Sequence, residues 1–260
     1  MFDLNAGGLF GLWFPNAFSQ NAAWTDGQTA TFWCMIGIIA LAAYMLGSIN
    51  SAIIISRVLY HDDIRKHGSG NAGMTNMQRT YGNGAAGLTL LGDLLKTVLA
   101  VSVAGVCFGF GYISGLSTNG YCYIAGLMAV IGHVFPLYYG FKGGKGVLST
   151  ATMALVLTPW VFLILFALFV AIVAMSKYIS LGSVSVAVLY PVVVNGAFTV
   201  VFGMPLSIEI ALSTILLAVL IVICHMGNLK RISDRTERKF SFKKKKAEPA
   251  VVEEEDGDEE

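Results

Sequence analysis

The chain has 260 residues, 55% of them apolar and only 13% charged, with a mean hydropathy of +0.68. Soluble domains carry about 25% charged residues, so this composition cannot clothe a water-facing surface and excludes an ordinary globular enzyme. The net charge of +1 hides an asymmetry: all 17 Lys and Arg and 8 acidic residues fall in 1–247, and the other 8 acidic residues fall in 248–260.

Residues 1–31 form an N-terminal extension without Lys or Arg, broken by Pro15, Asn16 and Gln20, and they do not read as a cleavable signal peptide. The first strong apolar span is predicted over 32–55, ending at Arg57. A polar segment follows over 60–83. The second span is predicted over 85–110 and contains Asp93 and Lys96. A short Gly/Ser/Asn loop over 114–120 leads to a third span over 121–139. The stretch 147–176 has no charged residue, but Pro159 lies inside it and interrupts helical hydrogen bonding. Two helices are therefore predicted there, over 147–157 and 160–176. The sixth and seventh spans are predicted over 181–202 and 206–224. Residues 227–246 read as a basic juxtamembrane segment able to form a surface helix and hold anionic headgroups, and 247–260 as an acidic disordered tail.

These spans predict an all-α polytopic integral membrane protein with a single bundle over 32–226. Charge bias decides between six and seven helices. With seven, Arg57, Arg65, Lys66, Arg79, Lys142, Lys145, Lys177 and the basic tail share one side, and the opposite loops carry no Lys or Arg. The N-terminus is then outside and the C-terminus cytoplasmic. Cys34, Cys107, Cys122 and Cys224 are scattered and read as small apolar residues in helices. The basic body suits anionic lipid or an anionic substrate. No basic stripe alternates with exposed aromatics, so nucleic acid is not an expected partner.

Four segments on the cytoplasmic side hold polar residues beyond what a turn needs. The first, 67–79, sets Gly68, Gly70 and Gly73 among Ser69, Asn71, Thr75, Asn76 and Arg79. Glycines allow close backbone approach, short polar side chains and backbone N–H groups make an anion site, and Arg79 offers a fork for phosphate oxygens. The second, 141–146, places Lys142 and Lys145 around Gly143, Gly144 and Gly146, followed by Ser149 and Thr150. It reads as a phosphate cradle, though without Walker A spacing. The third holds Ser180 and Ser183, and the fourth His225 and Asn228. Asp93 and Lys96, three apart on one helix, are expected to face the interior and pair with each other, or Asp93 with Arg79, in a supporting role. His133 and Pro136 are expected to close the third span and shape the loop beside it. No carboxylate cluster suggests a metal, and no cofactor is implied.

In this order the motifs resemble the bacterial acyl-phosphate:glycerol-3-phosphate acyltransferase family (PlsY). The resemblance rests on Gly47-Ser-Ile-Asn50, Asp63 to Asn71, Thr75-Asn76, Arg79, Asp93-Leu-Leu-Lys96, Gly132-His133, Pro136, Phe141 to Gly146, Ser180-Leu181 and His225-x-x-Asn228. It implies a seven-helix inner-membrane enzyme that moves an acyl chain from acyl phosphate to the first hydroxyl of glycerol 3-phosphate, giving lysophosphatidic acid and phosphate. Besides its substrates and membrane lipid, an acyl-phosphate-producing enzyme is a candidate partner. Functional residues carry over at Ser69, Asn71, Thr75, Asn76, Arg79, Lys145, Ser180, His225 and Asn228. In that reading Lys145 and Arg79 neutralise phosphate charge, Ser69 supports the acyl phosphate, and His225 and Asn228 bind glycerol 3-phosphate. The proton acceptor is either the substrate's own phosphate or His225. Met74, Met226 and Gly227 depart from the family pattern.

Rival readings fit less well. An acyltransferase using acyl-CoA or acyl carrier protein needs His-x4-Asp, and here His61, His67, His133 and His225 reach Lys66, Ala72, Tyr138 and Lys230. A CDP-alcohol phosphotransferase needs spaced aspartates, and Asp93 stands alone in its helix. A transporter of an organic phosphate suits an intramembrane Asp–Lys pair, but no repeated half is evident and the polar residues gather on one side.

Overall fold

The computed structural model describes residues 8–13, 25–113 and 116–240. The expected acidic tail and most of the N-terminal extension lie outside the described residues. A short helix α1 (Gly8–Trp13) precedes α2 (Asp26–Ser48) and α3 (Ser51–Tyr60), then α4 (Met74–Tyr81), α5 (Asn83–Phe108) and α6 (Gly120–Val134). The chain continues through α7 (Val147–Leu157), α8 (Pro159–Ser176), α9 (Ile179–Gly196) and α10 (Ile208–Ser233). A two-stranded antiparallel hairpin, β1 (Tyr112–Ile113) with β2 (Leu116–Ser117), is the one piece of β structure among the described residues.

Six helical stretches are long and apolar enough to cross a membrane: Asp26–Tyr60, Asn83–Phe108, Gly120–Tyr139, Pro159–Ser176, Ile179–Val201 and Ile208–Ser233. The predicted division at Pro159 is present, with Pro159 at the first position of α8, where its missing N–H costs nothing. With 11 residues, α7 is about 16 Å long, roughly half of a bilayer core.

Helix α5 shows how the chain suits lipid. Leu88, Leu91, Leu95 and Leu99 form its exposed stripe, whereas Thr89, Asp93, Lys96 and Thr97 are buried on the other face. Polarity points inward because only the protein interior can pair it. α6 is the axis of the bundle and carries the core residues Cys122, Tyr123, Ala129 and Val130. It packs on α2 almost backbone to backbone. A Cβ on Gly132 would lie 2.3 Å from the Tyr44 carbonyl oxygen, and one on Gly47 would lie 2.1 Å from that of Ala129. Small residues give membrane helices this approach. Gly132→Val is expected to cost upwards of about 3 kcal/mol, the top of the usual overpacking range, read as a lowered thermal midpoint in detergent.

Three boundaries differ from the sequence expectation. The span predicted as one helix over 32–55 is two, broken at Ile49 and Asn50. Asn50 caps α3, its side chain accepting from the Ile53 amide, so the apolar run continues while the helix restarts. The sixth span is helical from Ile179, and its end relaxes into a π-helix over Ala197–Val201 after Pro191. The seventh runs on to Ser233, which puts His225 and Asn228 on the last turns of α10 rather than in a loop.

Candidate active site

The 67–73 loop is held open by its own side chains. Gly68 and Gly70 have φ of +59° and +71°, the left-handed region that glycine adopts without strain. Asn76 is the loop's staple: its amide donates to the carbonyls of His67 (2.9 Å) and Ile64 (3.2 Å), and its Oδ1 accepts from the Ser69 amide (3.1 Å). Asn76, expected as a ligand group, is therefore engaged inside the protein, and so is the Ser69 N–H. The Ser69 hydroxyl, Asn71, Thr75 and Arg79 still face the cavity. Arg79 stands exposed at its mouth, yet burial of the guanidinium, then repulsion from Arg238, lowers its pKa.

The 140–146 loop lies beside the first. Arg65 grips Asp63 with two hydrogen bonds (2.9 and 2.7 Å) and donates to the Tyr139 carbonyl (2.8 Å), which struts one loop against the other. Gly143 and Gly144 donate their amides to the Val134 and His133 carbonyls, both at 3.1 Å. The expected cradle of backbone N–H groups is thus spent on the end of α6, and these glycines act by shape. A Cβ on Gly143 would fall 2.1 Å from the His133 carbonyl oxygen. The result is to aim Lys145 at α10, where its Nζ donates to Asn228 Oδ1. Burial, then the nearby Arg231, pulls the Lys145 pKa down.

α9 and α10 complete the polar end together with the chain beyond α10. Asn228 Nδ2 donates to Ser180 Oγ (2.8 Å) and Glu237 Oε1 (2.7 Å), and Ser180 Oγ donates to the same carboxylate oxygen (2.8 Å). Arg231 Nε holds Glu237 Oε2 at 2.7 Å. His225 Nδ1 lies 2.8 Å from the Ile221 carbonyl oxygen. A carbonyl only accepts, so Nδ1 carries the hydrogen and neutral His225 keeps Nε2 as an acceptor.

These parts border one cavity of about 840 Å³. Of the thirteen site residues expected from sequence, Gly68, Ser69, Asn71, Thr75, Asn76, Arg79, Lys145, Ser180, His225 and Asn228 line it, and Gly70, Gly143 and Gly144 stand behind it. Three helices begin at its rim, after Gly73, Gly146 and Tyr178, and none has a side-chain cap. α2, α3, α6 and α10 start on capping side chains (Thr25, Asn50, Asn119 and Ser207), while α5 and α8, which start outside the cavity lining, also lack one. Uncapped N-termini turn unsatisfied N–H groups and positive dipole ends toward an anion. Away from them the cavity turns apolar, walled by Leu148, Ala154, Phe162, Phe166, Val186 and Tyr190.

Sequence reasoning missed Glu237 and Arg231. The available signal was a pair of acids, Asp234 and Glu237, set in the basic run from Lys230 to Lys239. Burial raises the Glu237 pKa, but hydrogen bonds from Arg231, Ser180 and Asn228 outweigh it and hold the carboxyl below its ordinary value of 4.5. A lowered carboxyl pKa stabilises the fold above the unfolded value, and the gain is lost as pH falls through the folded one. Wild type is therefore expected to melt above Glu237→Gln at pH 7, with the gap closing as pH drops below about 4.5.

The glycerol-3-phosphate acyltransferase family model matches residues 37–235. The glycerol-3-phosphate acyltransferase of Syntrophomonas wolfei is 41% identical over 207 residues, covering 79% of this chain and 97% of that protein. That of Geobacillus kaustophilus is 37% identical, covering 82% of this chain and all of its own. The crystal structure of PlsY (YgiH), an integral membrane glycerol 3-phosphate acyltransferase, in its glycerol 3-phosphate form matches with a TM-score of 0.69 at 29% identity, covering 80% of this chain and 96% of that one. Its lysophosphatidic acid form matches at 0.66 and 28%. With the family model spanning most of the sequence and relatives covered nearly end to end, this polytopic helical membrane protein belongs to the glycerol-3-phosphate acyltransferase family.

Proposed function

We propose that the chain transfers a fatty acyl group from an acyl phosphate to the first hydroxyl of glycerol 3-phosphate, releasing lysophosphatidic acid and inorganic phosphate. The observation that carries this reading is the two-part cavity, whose cationic end is ringed by Arg79, Lys145 and Arg231 and whose other end is hydrocarbon. An acyl phosphate is a mixed anhydride with a good leaving group. Its attack by an alcohol needs placement and charge neutralisation rather than a covalent enzyme intermediate. Lys145 and Arg79 balance the phosphates, the Ser69 hydroxyl and Asn71 hold the donor, and Ser180 and Asn228 hold the acceptor. The His225 tautomer favours it as acceptor of the attacking hydroxyl's hydrogen bond, and so as the base.

The site faces the cytoplasm of a bacterial inner membrane in this reading, with seven helices counting α7, the N-terminus outside and the C-terminus inside. The positive-inside distribution supports that orientation. The test is product analysis on protein in liposomes given palmitoyl phosphate with and without glycerol 3-phosphate. Phosphate release and lysophosphatidic acid are expected only with both substrates. Phosphate release without the acceptor, or acyl transfer only from acyl-CoA, overturns the donor assignment.

A further inference from the structure

Lys96 lies buried in α5 with three groups around its ammonium: Asp93 Oδ1, the Ile49 carbonyl oxygen and His133 Nδ1, each at 2.9 Å. Read as an ammonium paired with Asp93, Lys96 only donates, and the 3.6 Å from His133 Nδ1 to Asp93 Oδ1 is too long for a hydrogen bond between them. His133 Nδ1 is therefore an acceptor, so the imidazole is neutral and carries its hydrogen on Nε2. This is the opposite tautomer to that of His225. The break between α2 and α3 is part of the device, because it frees the Ile49 carbonyl from the helix ladder for Lys96.

His133 is 4% exposed and lines the cavity, and its Nε2 has no hydrogen-bond partner among the described residues. The ring lies directly under the 140–146 loop. A Cβ on Gly144 would fall 2.0 Å from Nε2 and 2.9 Å from the Ala72 carbonyl oxygen at the end of the 67–73 loop. The N–H thus sits where the two loops meet, one residue from Lys145. His133 Nε2 is not among the buried atoms left without a partner, so it opens onto the cavity and is free to meet a bound group there. Gly144, expected to bind phosphate with its own amide, instead leaves the space in which this ring reaches the site.

We propose that His133 is a further catalytic residue. Its Nε2–H donates to an anionic oxygen of the acyl donor's phosphate, and Lys96 is a positioning residue that fixes the tautomer without touching substrate. The inference rests on the proposed reading of the cavity's cationic end, between the two loops at Lys145, as the place of the donor's phosphate.

The experiment compares wild type, His133→Phe, His133→Gln and Lys145→Ala, all full-length and in liposomes, with both substrates varied and thermal midpoints measured. His133→Phe is expected to lose about 10²-fold in kcat/KM for palmitoyl phosphate, with the KM for glycerol 3-phosphate changed less than about twofold. His133→Gln, whose amide N–H lies near the place of Nε2–H, is expected to regain about tenfold of that loss. Nitrogen-15 spectra of the histidines are expected to show His133 protonated on Nε2 alone in wild type, and to lose that signature in Lys96→Met. A wild-type His133 protonated on Nδ1 overturns the proposal even if His133→Phe fails to fold. Equal damage to both substrates without rescue by glutamine also overturns it, as a merely structural role would produce. If Lys145→Ala stays active, the proposed phosphate site fails; if only His133→Phe does, this proposal alone fails.

Discussion

Replacing Lys145 by alanine is expected to lower turnover by about 10³-fold or more, the upper end for loss of one transition-state donor, while the thermal midpoint stays close to wild type. Lys145 is not a strut. Its loop is fastened by the Gly143 and Gly144 amides and by Arg65, and none of those bonds involves the ammonium. What disappears is the cation at the meeting point of the 140–146 loop and Asn228. When an acyl phosphate breaks, charge collects on the departing phosphate, so the loss falls on kcat more than on KM. Lys145→Arg is expected to restore little, since a planar fork cannot occupy the place of a compact ammonium. Activity within tenfold of wild type for Lys145→Ala would remove the residue from the chemistry.

Asp93→Leu is expected to be the most destabilising single change in the transmembrane body. Asp93 and Lys96 are 1% and 5% exposed, and Asp93 Oδ1 also accepts from Ser51 Oγ at 3.1 Å. Removing the carboxylate leaves an ammonium facing only a carbonyl and an imidazole in an apolar interior. Breaking a buried pair in this way costs about 3–5 kcal/mol. The double variant Asp93→Leu with Lys96→Met is expected to recover much of that stability, because replacing both charges by apolar groups is often neutral. Thermal unfolding in detergent measures both. A single variant as stable as wild type would mean the pair is neutral or water-filled.

The membrane spans were legible because about 20 apolar residues in a row have one common explanation, and the split at Pro159 because proline lacks an N–H. The Asp93–Lys96 pair followed from helical spacing, although Arg79 remained an alternative that only the packing removed. The break at Ile49 and Asn50 was not legible, since hydropathy averages over the single peptide where the helix restarts. Asn76 was read as a ligand because sequence cannot tell a side chain facing a substrate from one turned back on its own loop. Glu237 escaped for another reason. Its contact with Ser180 spans 57 positions, and its neighbours in sequence are the bases of a segment that reads as a lipid-facing tail.

The cavity, charged at one end and hydrocarbon at the other, also sorts what it makes. A molecule built there has its phosphate among Arg79, Lys145 and Arg231 and its chain beside Phe162 and Phe166 of α8, a helix whose Leu163 and Ile164 face outward. It is already oriented like a lipid, with head and tail in the phases they will keep. Were such a molecule released sideways past α8, it would need no flip and no passage through water. Under the proposed reaction, product leaving this way would enter the leaflet that the cavity's charged end faces.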